Sequence, residues 1–320
     1  MKKVMLGKTG LEVSELCFGA LPMGPLQKKL PVEDGAAIIV RALHGGINFI
    51  DTAQLYQTYE PIKLALEQTT VRPVIASKST SSTYEAMRQA VDEAREAMGL
   101  EMVDVFHLHA ARADEMVFEQ RRGAWKCLQD CKSEGLIRAV GVSTHSVPVV
   151  KKAAAMEDVD VVFPIINIKG TGILQGTLAE MEAAIHFCQE RGKGVYLMKV
   201  LGGGCLVEDY HQAVSYARRV VQKRAPLAMG MVSQDEVDFN LAYFQAGKPE
   251  KASLPPLQVE KKWFQVVEVL CQQCGTCVDF CPNGAISRES ADQTPVINHD
   301  LCLRCGYCVG ECPQFAIRMV

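Results

Sequence analysis

Apolar residues over the first three quarters of the chain follow two alternating rhythms. Runs of six or seven residues, ELCFGA, NFIDTA, VIASKS, VDVFHLH, AVGVST, VVFPIIN, GVYLMKV and PLAMGMV, read as buried strands. Between them lie amphipathic stretches with helical spacing, among them VEDGAAIIVRALHGG, TYEAMRQAVDEAREAMG, GTLAEMEAAIHFCQERG and SQDEVDFNLAYFQAG. Several close on glycine, which ends helices readily because it accepts a left-handed backbone. Eight strands each followed by a helix predict a (β/α)8 barrel over residues 1–246. An open doubly wound sheet is the second candidate, but eight full units suit closure better. Residues 1–13 precede the first strand and predict a short hairpin plugging the barrel floor. The rhythm then stops. Residues 247–262, GKPEKASLPPLQVEKK, are rich in proline and lysine and read as a linker, which leaves 263–320 as a small second domain.

That second domain contains CQQCGTCVDFCP, from Cys271 to Pro282, and 31 residues later CLRCGYCVGECP, from Cys302 to Pro313. Each run spaces four thiols by two, two and three residues and closes on proline. Thiolates three apart wrap one corner of an iron–sulfur cube, while the fourth is carried away to a second cube, as in the bacterial two-cluster ferredoxin pattern. This assigns Cys271, Cys274, Cys277 and Cys312 to one 4Fe–4S centre and Cys302, Cys305, Cys308 and Cys281 to the other. A zinc ribbon needs only two thiol pairs and leaves Cys281 and Cys312 unexplained. Neither zinc nor a disulfide framework accounts for the doubled Cys-Pro. Each run is followed by an Ala-Ile pair (Ala285-Ile286, Ala316-Ile317), so the domain is an internal repeat with a ferredoxin-like α+β fold.

Composition adds mainly exclusions. A 48% hydrophobic, 22% charged chain of 320 residues has material for a sizeable core. A net charge of −3 offers no electrostatic case for nucleic acid or an anionic membrane surface. No stretch approaches the roughly 18 apolar residues of a membrane span, and the N-terminus lacks a signal-peptide run. Eight of the thirteen cysteines are those just assigned; Cys17, Cys127, Cys131, Cys188 and Cys205 are scattered, and a reducing cytoplasm is the expected compartment.

Catalytic groups in such barrels sit at the C-terminal strand ends. Strand two ends NFIDTAQLY, with Asp51 at the rim and Tyr56 just beyond; strand three ends at Lys78 and strand four at His109. A carboxylate, a phenol, an ammonium and an imidazole thus converge from three consecutive strands. The expectation is that Lys78, held by Asp51, stabilises the phenolate of Tyr56 and brings its pKa down toward neutrality. His107 reads as a core histidine and His145 as a loop histidine. These residues, with LGKTGLEVSELCFG, GINFIDTAQLY, ASKS, MVDVFHLH, SEGLIRAVGVST and LGGG, resemble the aldo/keto reductase family over nearly all of residues 1–246. The resemblance implies Tyr56 as proton donor to a carbonyl, Lys78 and Asp51 as its tuners, and His109 as a substrate-orienting or proton-sharing group.

Family members hold nicotinamide with a Ser-Asn pair ending strand five, a Gln on strand six and often an aromatic on strand seven. This chain has Ser143-Thr144, Phe163 and Met198 there. Gly230, Ser233 and Asn240 fit a dinucleotide loop after strand eight. Asp235, Glu236 and Asp238 stand where basic residues would hold a 2′-phosphate, so a bound nicotinamide is expected to be NADH rather than NADPH. The same acidic run also suits the first turn of a helix. No flavin site is evident.

The leading reading is a cytoplasmic oxidoreductase interconverting a small carbonyl and alcohol, with Tyr56 as general acid and the clusters exchanging electrons with a redox partner protein. The alternatives are a non-catalytic redox-sensing or electron-transfer protein with a relic barrel, a reductase fed by the clusters without nicotinamide, and clusters that only staple a tail of about 58 residues. The last helix should end near the barrel floor. A 16-residue linker, reaching about 50 Å extended, lets the cluster domain climb a wall about 20 Å tall and roof the mouth near Tyr56 and His109.

Overall fold

The structure, a computed structural model, describes residues 1–204, 206–222, 224–246, 263–312, 314 and 316–319. The linker assigned to 247–262, together with Cys205 and Pro313, lies outside the described residues. A hairpin of β1 (Lys3–Met5) and β2 (Glu12–Ser14) opens the chain. The barrel follows: β3 (Leu16–Gly19), α1 (Val32–His44), β4 (Phe49–Asp51), α2 (Tyr59–Glu67), β5 (Val74–Ser79), α3 (Tyr84–Met98), β6 (Val103–His109), α4 (Val117–Gln120), α5 (Arg122–Ser133), β7 (Ile137–Thr144), α6 (Val147–Ala155), β8 (Val161–Pro164), α7 (Leu178–Glu190), β9 (Gly194–Val195), α8 (Tyr210–Val220), β10 (Leu227–Gly230) and α9 (Gln234–Gln245). All eight strands expected from the apolar runs are present and parallel, in the order β10-β3-β4-β5-β6-β7-β8-β9. A bridge between Leu197 and Leu227 closes the ring, with Leu197 N–H donating to Pro226 O at 2.9 Å and Ala228 N–H to Leu197 O at 2.9 Å.

The strands are largely apolar because both of their faces are covered. One parity of side chains, Leu16, Phe18, Ile50, Ile75, Phe106, Val140, Val142 and Val162, packs outward into the main core that includes the helices. The other parity, Cys17, Phe49, Ala76, Val105, Ala139, Val161 and Phe163, fills the barrel, with Leu6, Leu11 and Val13 of the N-terminal hairpin joining this interior cluster. Two residues beyond Phe49 and Ala76 the inward parity reaches Asp51 and Lys78; four beyond Val105 it reaches His109. Strand alternation alone therefore aims these polar groups into the upper barrel.

The tail contains β11 (Phe264–Val266), α10 (Thr276–Phe280), β12 (Ile286–Ser287), β13 (Val296–Ile297), α11 (Tyr307–Glu311) and β14 (Ile317–Met319), with β11 pairing β14 and β12 pairing β13. The repeat is visible in the backbone: Gln273 and Arg304 both have positive φ, and Gly275 (φ 80°) and Gly306 (φ 77°) both precede a short helix. The Ala-Ile pairs have a purpose. Ala285 N–H donates to Cys281 Sγ at 3.3 Å and Ala316 N–H to Cys312 Sγ at 3.2 Å, while Ile286 and Ile317 enter the small core of this domain.

Candidate active site and thiol cradles

Asp51 and Lys78 form a buried pair at the ends of β4 and β5, 4% and 1% exposed. Lys78 Nζ donates to both Asp51 oxygens, at 2.8 and 2.7 Å, and to Thr52 O at 2.7 Å. Tyr196, just past β9, donates its hydroxyl to Asp51 Oδ1 at 2.9 Å and meets His107 Nε2 at 2.7 Å. Tyr196 also stacks on Phe163, centroids 3.8 Å apart. Burial raises the Asp51 pKa and lowers that of Lys78, with their mutual attraction opposing the shift in each. His107 is the core histidine expected of it. His145 follows β7 in a loop, as expected, and is 1% exposed; burial, with Lys199 nearby, lowers its pKa to about 3.

Tyr56 lies in the turn after β4, 5% exposed, its ring 6.1 Å from that of His109 and nearly perpendicular to it. The tuning expected from Lys78 is not found. The ammonium donates its hydrogen bonds to Asp51 and Thr52, and Nζ sits 4.7 Å from the centroid of the Tyr56 ring, over its face. Burial, reinforced by the neighbouring Tyr307 phenol and by Asp51, pushes the Tyr56 pKa well above its ordinary value. Burial, with Lys78 adding to it, holds His109 well below the usual imidazole range, so its ring is neutral.

Tyr307, the first residue of α11, comes from the cluster domain. Its hydroxyl is 3.1 Å from His109 Nε2, its ring 5.9 Å from that of His109, and its phenol close enough to Tyr56 to interact through charge and hydrogen bonding. Tyr307 and Cys305 pack in one apolar cluster with Leu21, Leu26, Ala53 and Tyr56. The expectation that the cluster domain roofs the mouth therefore holds. Its docking is close. Leu303 joins the barrel core, Gln27 Nε2 donates to Arg304 O at 2.6 Å, and Arg112 donates to Asp279 O. A Cβ on Gly203 (φ 69°) would stand 1.7 Å from Leu303 O, so only glycine lets the two backbones meet there.

The eight cysteines of the runs fall into two groups. Cys271, Cys274, Cys277 and Cys312 line one hollow; Cys281, Cys302, Cys305 and Cys308 line another. Each hollow thus takes three thiols from one run and the fourth from the other, the crossover that the spacing implies. Among the described residues no group of three or more His, Cys, Asp or Glu is placed to hold a single metal ion. Soft thiol donors spread round a space, with Ala285 and Ala316 N–H aimed at sulfur, fit an iron–sulfur cube. The first group is the outer one, with Cys274 exposed; the second faces the barrel, with Cys305 buried.

The residues expected to hold a dinucleotide are committed elsewhere. Asn240 accepts from Tyr210 at 2.6 Å and donates to Glu236 O at 2.7 Å; Ser233 caps α9 by accepting from Glu236 N–H; Thr144 accepts from Ser146 N–H. A Cβ on Gly230 would lie 2.3 Å from Pro22. Asp235 and Glu236 occupy the first turn of α9, and Asp238 pairs with Arg41 at 2.6 Å. Ser143, beside His109 in the β6–β7 register, is buried at the mouth. Asn240, Ser233 and Thr144 thus already make hydrogen bonds within the fold. Tyr196 and Tyr307 were not singled out in the sequence. Tyr307 had one signal, an aromatic where the first run has Thr276.

Residues 15–276 match the aldo/keto reductase family and residues 270–317 the 4Fe-4S dicluster domain. The L-galactose dehydrogenase of Arabidopsis thaliana is 27% identical over 219 residues, 64% of this chain and 66% of that protein, just under two thirds of its length. An aldo-keto reductase of Bacillus halodurans, solved in its holo form, superposes with a TM-score of 0.61 at 22% identity, covering 81% of this chain and 93% of that one. One from Bombyx mori, in complex with NADP, gives 0.56 at 14% identity, covering 74% and 86%. At these identities the two structures speak for the fold alone. A match reaching from the first barrel strand into the first cysteine run, on a closed eight-stranded barrel, makes the chain a member of the aldo/keto reductase family that carries a 4Fe–4S dicluster domain.

Proposed function

We propose that the chain interconverts a small carbonyl and its alcohol, with Tyr56 as the acid at the substrate oxygen and electrons exchanged through the C-terminal domain with a redox partner protein. The observation that carries this reading is the convergence of Tyr56 and His109 on one oxygen, with Cys305 packed in the same cluster. Reducing a carbonyl to an alcohol takes two electrons and two protons, one passed by Tyr56 to the oxygen and one taken by the carbon from solvent. When bound, two 4Fe–4S clusters supply one electron each, held by Cys271, Cys274, Cys277 and Cys312 and by Cys281, Cys302, Cys305 and Cys308. A Tyr56 whose pKa burial has raised stays protonated across neutral pH. It gives up its proton only as negative charge grows on the oxygen, and it is seldom the phenolate that the reverse reaction needs. Neutral His109 orients that oxygen through Nε2. The buried Asp51–Lys78 pair supports the face of the Tyr56 ring and keeps charge close to the reacting oxygen.

With Asn240, Ser233 and Thr144 bonded within the fold, the electrons come from the redox partner through the cluster domain rather than from nicotinamide. Should one bind, the acidic first turn of α9 favours NADH. A cytoplasmic setting suits eight thiols that must stay reduced. The second reading, a redox sensor with a relic barrel, draws on Tyr307 filling the mouth. Tyr56→Phe decides between them: turnover of a carbonyl probe by the anaerobic, iron-loaded protein with a reduced dye should fall by about 10²-fold or more. Near-normal turnover in Tyr56→Phe would rule out Tyr56 as the acid, and absence of turnover in the wild type would favour the sensor. Run in D2O, the wild-type reaction should place deuterium on the product carbon; protium there would mean hydride delivered by nicotinamide.

A further inference from the structure

We propose that the Tyr307 hydroxyl occupies the place of the substrate oxygen, so that the cluster domain closes the barrel with a built-in competitor, and that the slot admits a six-membered ring bearing one oxygen. This rests on the reading that Tyr56 and His109 grip the substrate oxygen. Two polar groups of the barrel already converge on an oxygen brought from 198 residues away, with Tyr307 O 3.1 Å from His109 Nε2 and its phenol interacting with that of Tyr56. The other ring nitrogen, His109 Nδ1, is buried without a partner among the described residues, so Nε2 is the nitrogen through which His109 acts. The Tyr307 ring, 9% exposed, shares an apolar cluster with Leu21, Leu26, Ala53 and Tyr56, a setting that accepts a flat ring of the same size.

The cluster domain does not itself require this ring. At the matching position of the first run, Thr276 keeps its hydroxyl 3.4 Å from Cys274 Sγ, serving its own thiol group. Tyr307 instead serves the barrel. Its backbone is held in place, since a Cβ on Gly306 (φ 77°) would stand 2.1 Å from Leu26 O and Arg304 O is bonded by Gln27. A ligand reaching Tyr56 and His109 must therefore displace the phenol, and its apparent affinity falls by the fraction of time the slot is open. A slot open between a tenth and a hundredth of the time weakens binding about 10- to 100-fold.

The test uses the full-length, iron-loaded protein and benzaldehyde as probe, with binding measured by ligand-observed NMR. Tyr307→Thr copies the residue that the first run carries, and Tyr307→Ala is its companion; iron content reports whether each variant keeps its clusters. Expected is benzaldehyde binding about tenfold or more tighter than in the wild type, with toluene weaker than benzaldehyde and the gain lost when His109→Ala is added. No gain would overturn the proposal. So would an equal gain for toluene that survives His109→Ala, since that is only a cavity, and so would loss of iron from both variants, since the domain would then need the ring. The outcome is separate from the Tyr56→Phe result. Tighter binding with turnover retained in Tyr56→Phe would keep the competitor and discard the acid, and the converse pattern would do the opposite.

Discussion

Removing Lys78 while keeping its bulk, as Lys78→Met, strands Asp51 in the barrel. The carboxylate is 4% exposed and would keep only the Tyr196 hydroxyl at 2.9 Å in place of an ammonium donating to both its oxygens. Breaking one side of a buried pair destabilises by about 3–5 kcal/mol, which at roughly 2–4 °C per kcal/mol lowers Tm by about 6–20 °C. The penalty has a pH signature. Burial already raises the Asp51 pKa and Lys78 is the chief group pulling it back, so the variant's carboxyl moves further up. A carboxyl whose folded pKa lies above its unfolded value of about 3.9 takes up a proton on folding. The stability it contributes is present at low pH and lost as pH rises through the folded pKa, so the deficit should be smaller at pH 5 than at pH 8. Its slope is bounded by about 1.4 kcal/mol per pH unit. Urea unfolding followed by circular dichroism at pH 5, 6.5 and 8 measures it. Lys78→Met/Asp51→Leu, which leaves no buried charge, should recover most of the loss. A deficit below about 1 kcal/mol, a deficit flat in pH, or a double variant no better than the single would refute the reasoning.

Three further outcomes follow from the same geometry. Anaerobically prepared protein should carry about eight iron and eight labile sulfide per chain, and elemental analysis showing a full load of zinc would contradict the assignment of the two cradles. Cys281→Ser, although in the first run, should damage the centre facing the barrel, because Cys281 lines the hollow of Cys302, Cys305 and Cys308. EPR of the reduced protein should show the other centre intact, and the reverse pattern would undo the crossover. Gly203→Ala puts a Cβ against Leu303 O at a left-handed φ and should weaken docking by about 2–4 kcal/mol. Hydrogen exchange at residues 21–28 and 302–307 should then accelerate about tenfold or more, whereas unchanged protection would show that this contact does not hold the domains together.

Much of this was legible along the chain because it is written at short range. Continuous apolar runs alternate with stretches of period 3.6, and the inward parity that carries Phe49 and Ala76 carries Asp51 and Lys78 two residues later. The cysteine spacing likewise specifies two cradles and their exchange of fourth thiols, because a tight loop can reach only one corner of a cube. What the tertiary structure decided is the use to which each group is put. Lys78 could have bonded to Tyr56, but the three acceptors nearest in space are Asp51 and Thr52. The acidic turn after β10 also serves the fold, since it opens α9 and its Asp238 pairs with Arg41. Tyr196 reaches Asp51 across 145 residues and Tyr307 reaches His109 across 198. No local pattern encodes such contacts, since they depend on ring closure of the barrel and on where a second domain docks.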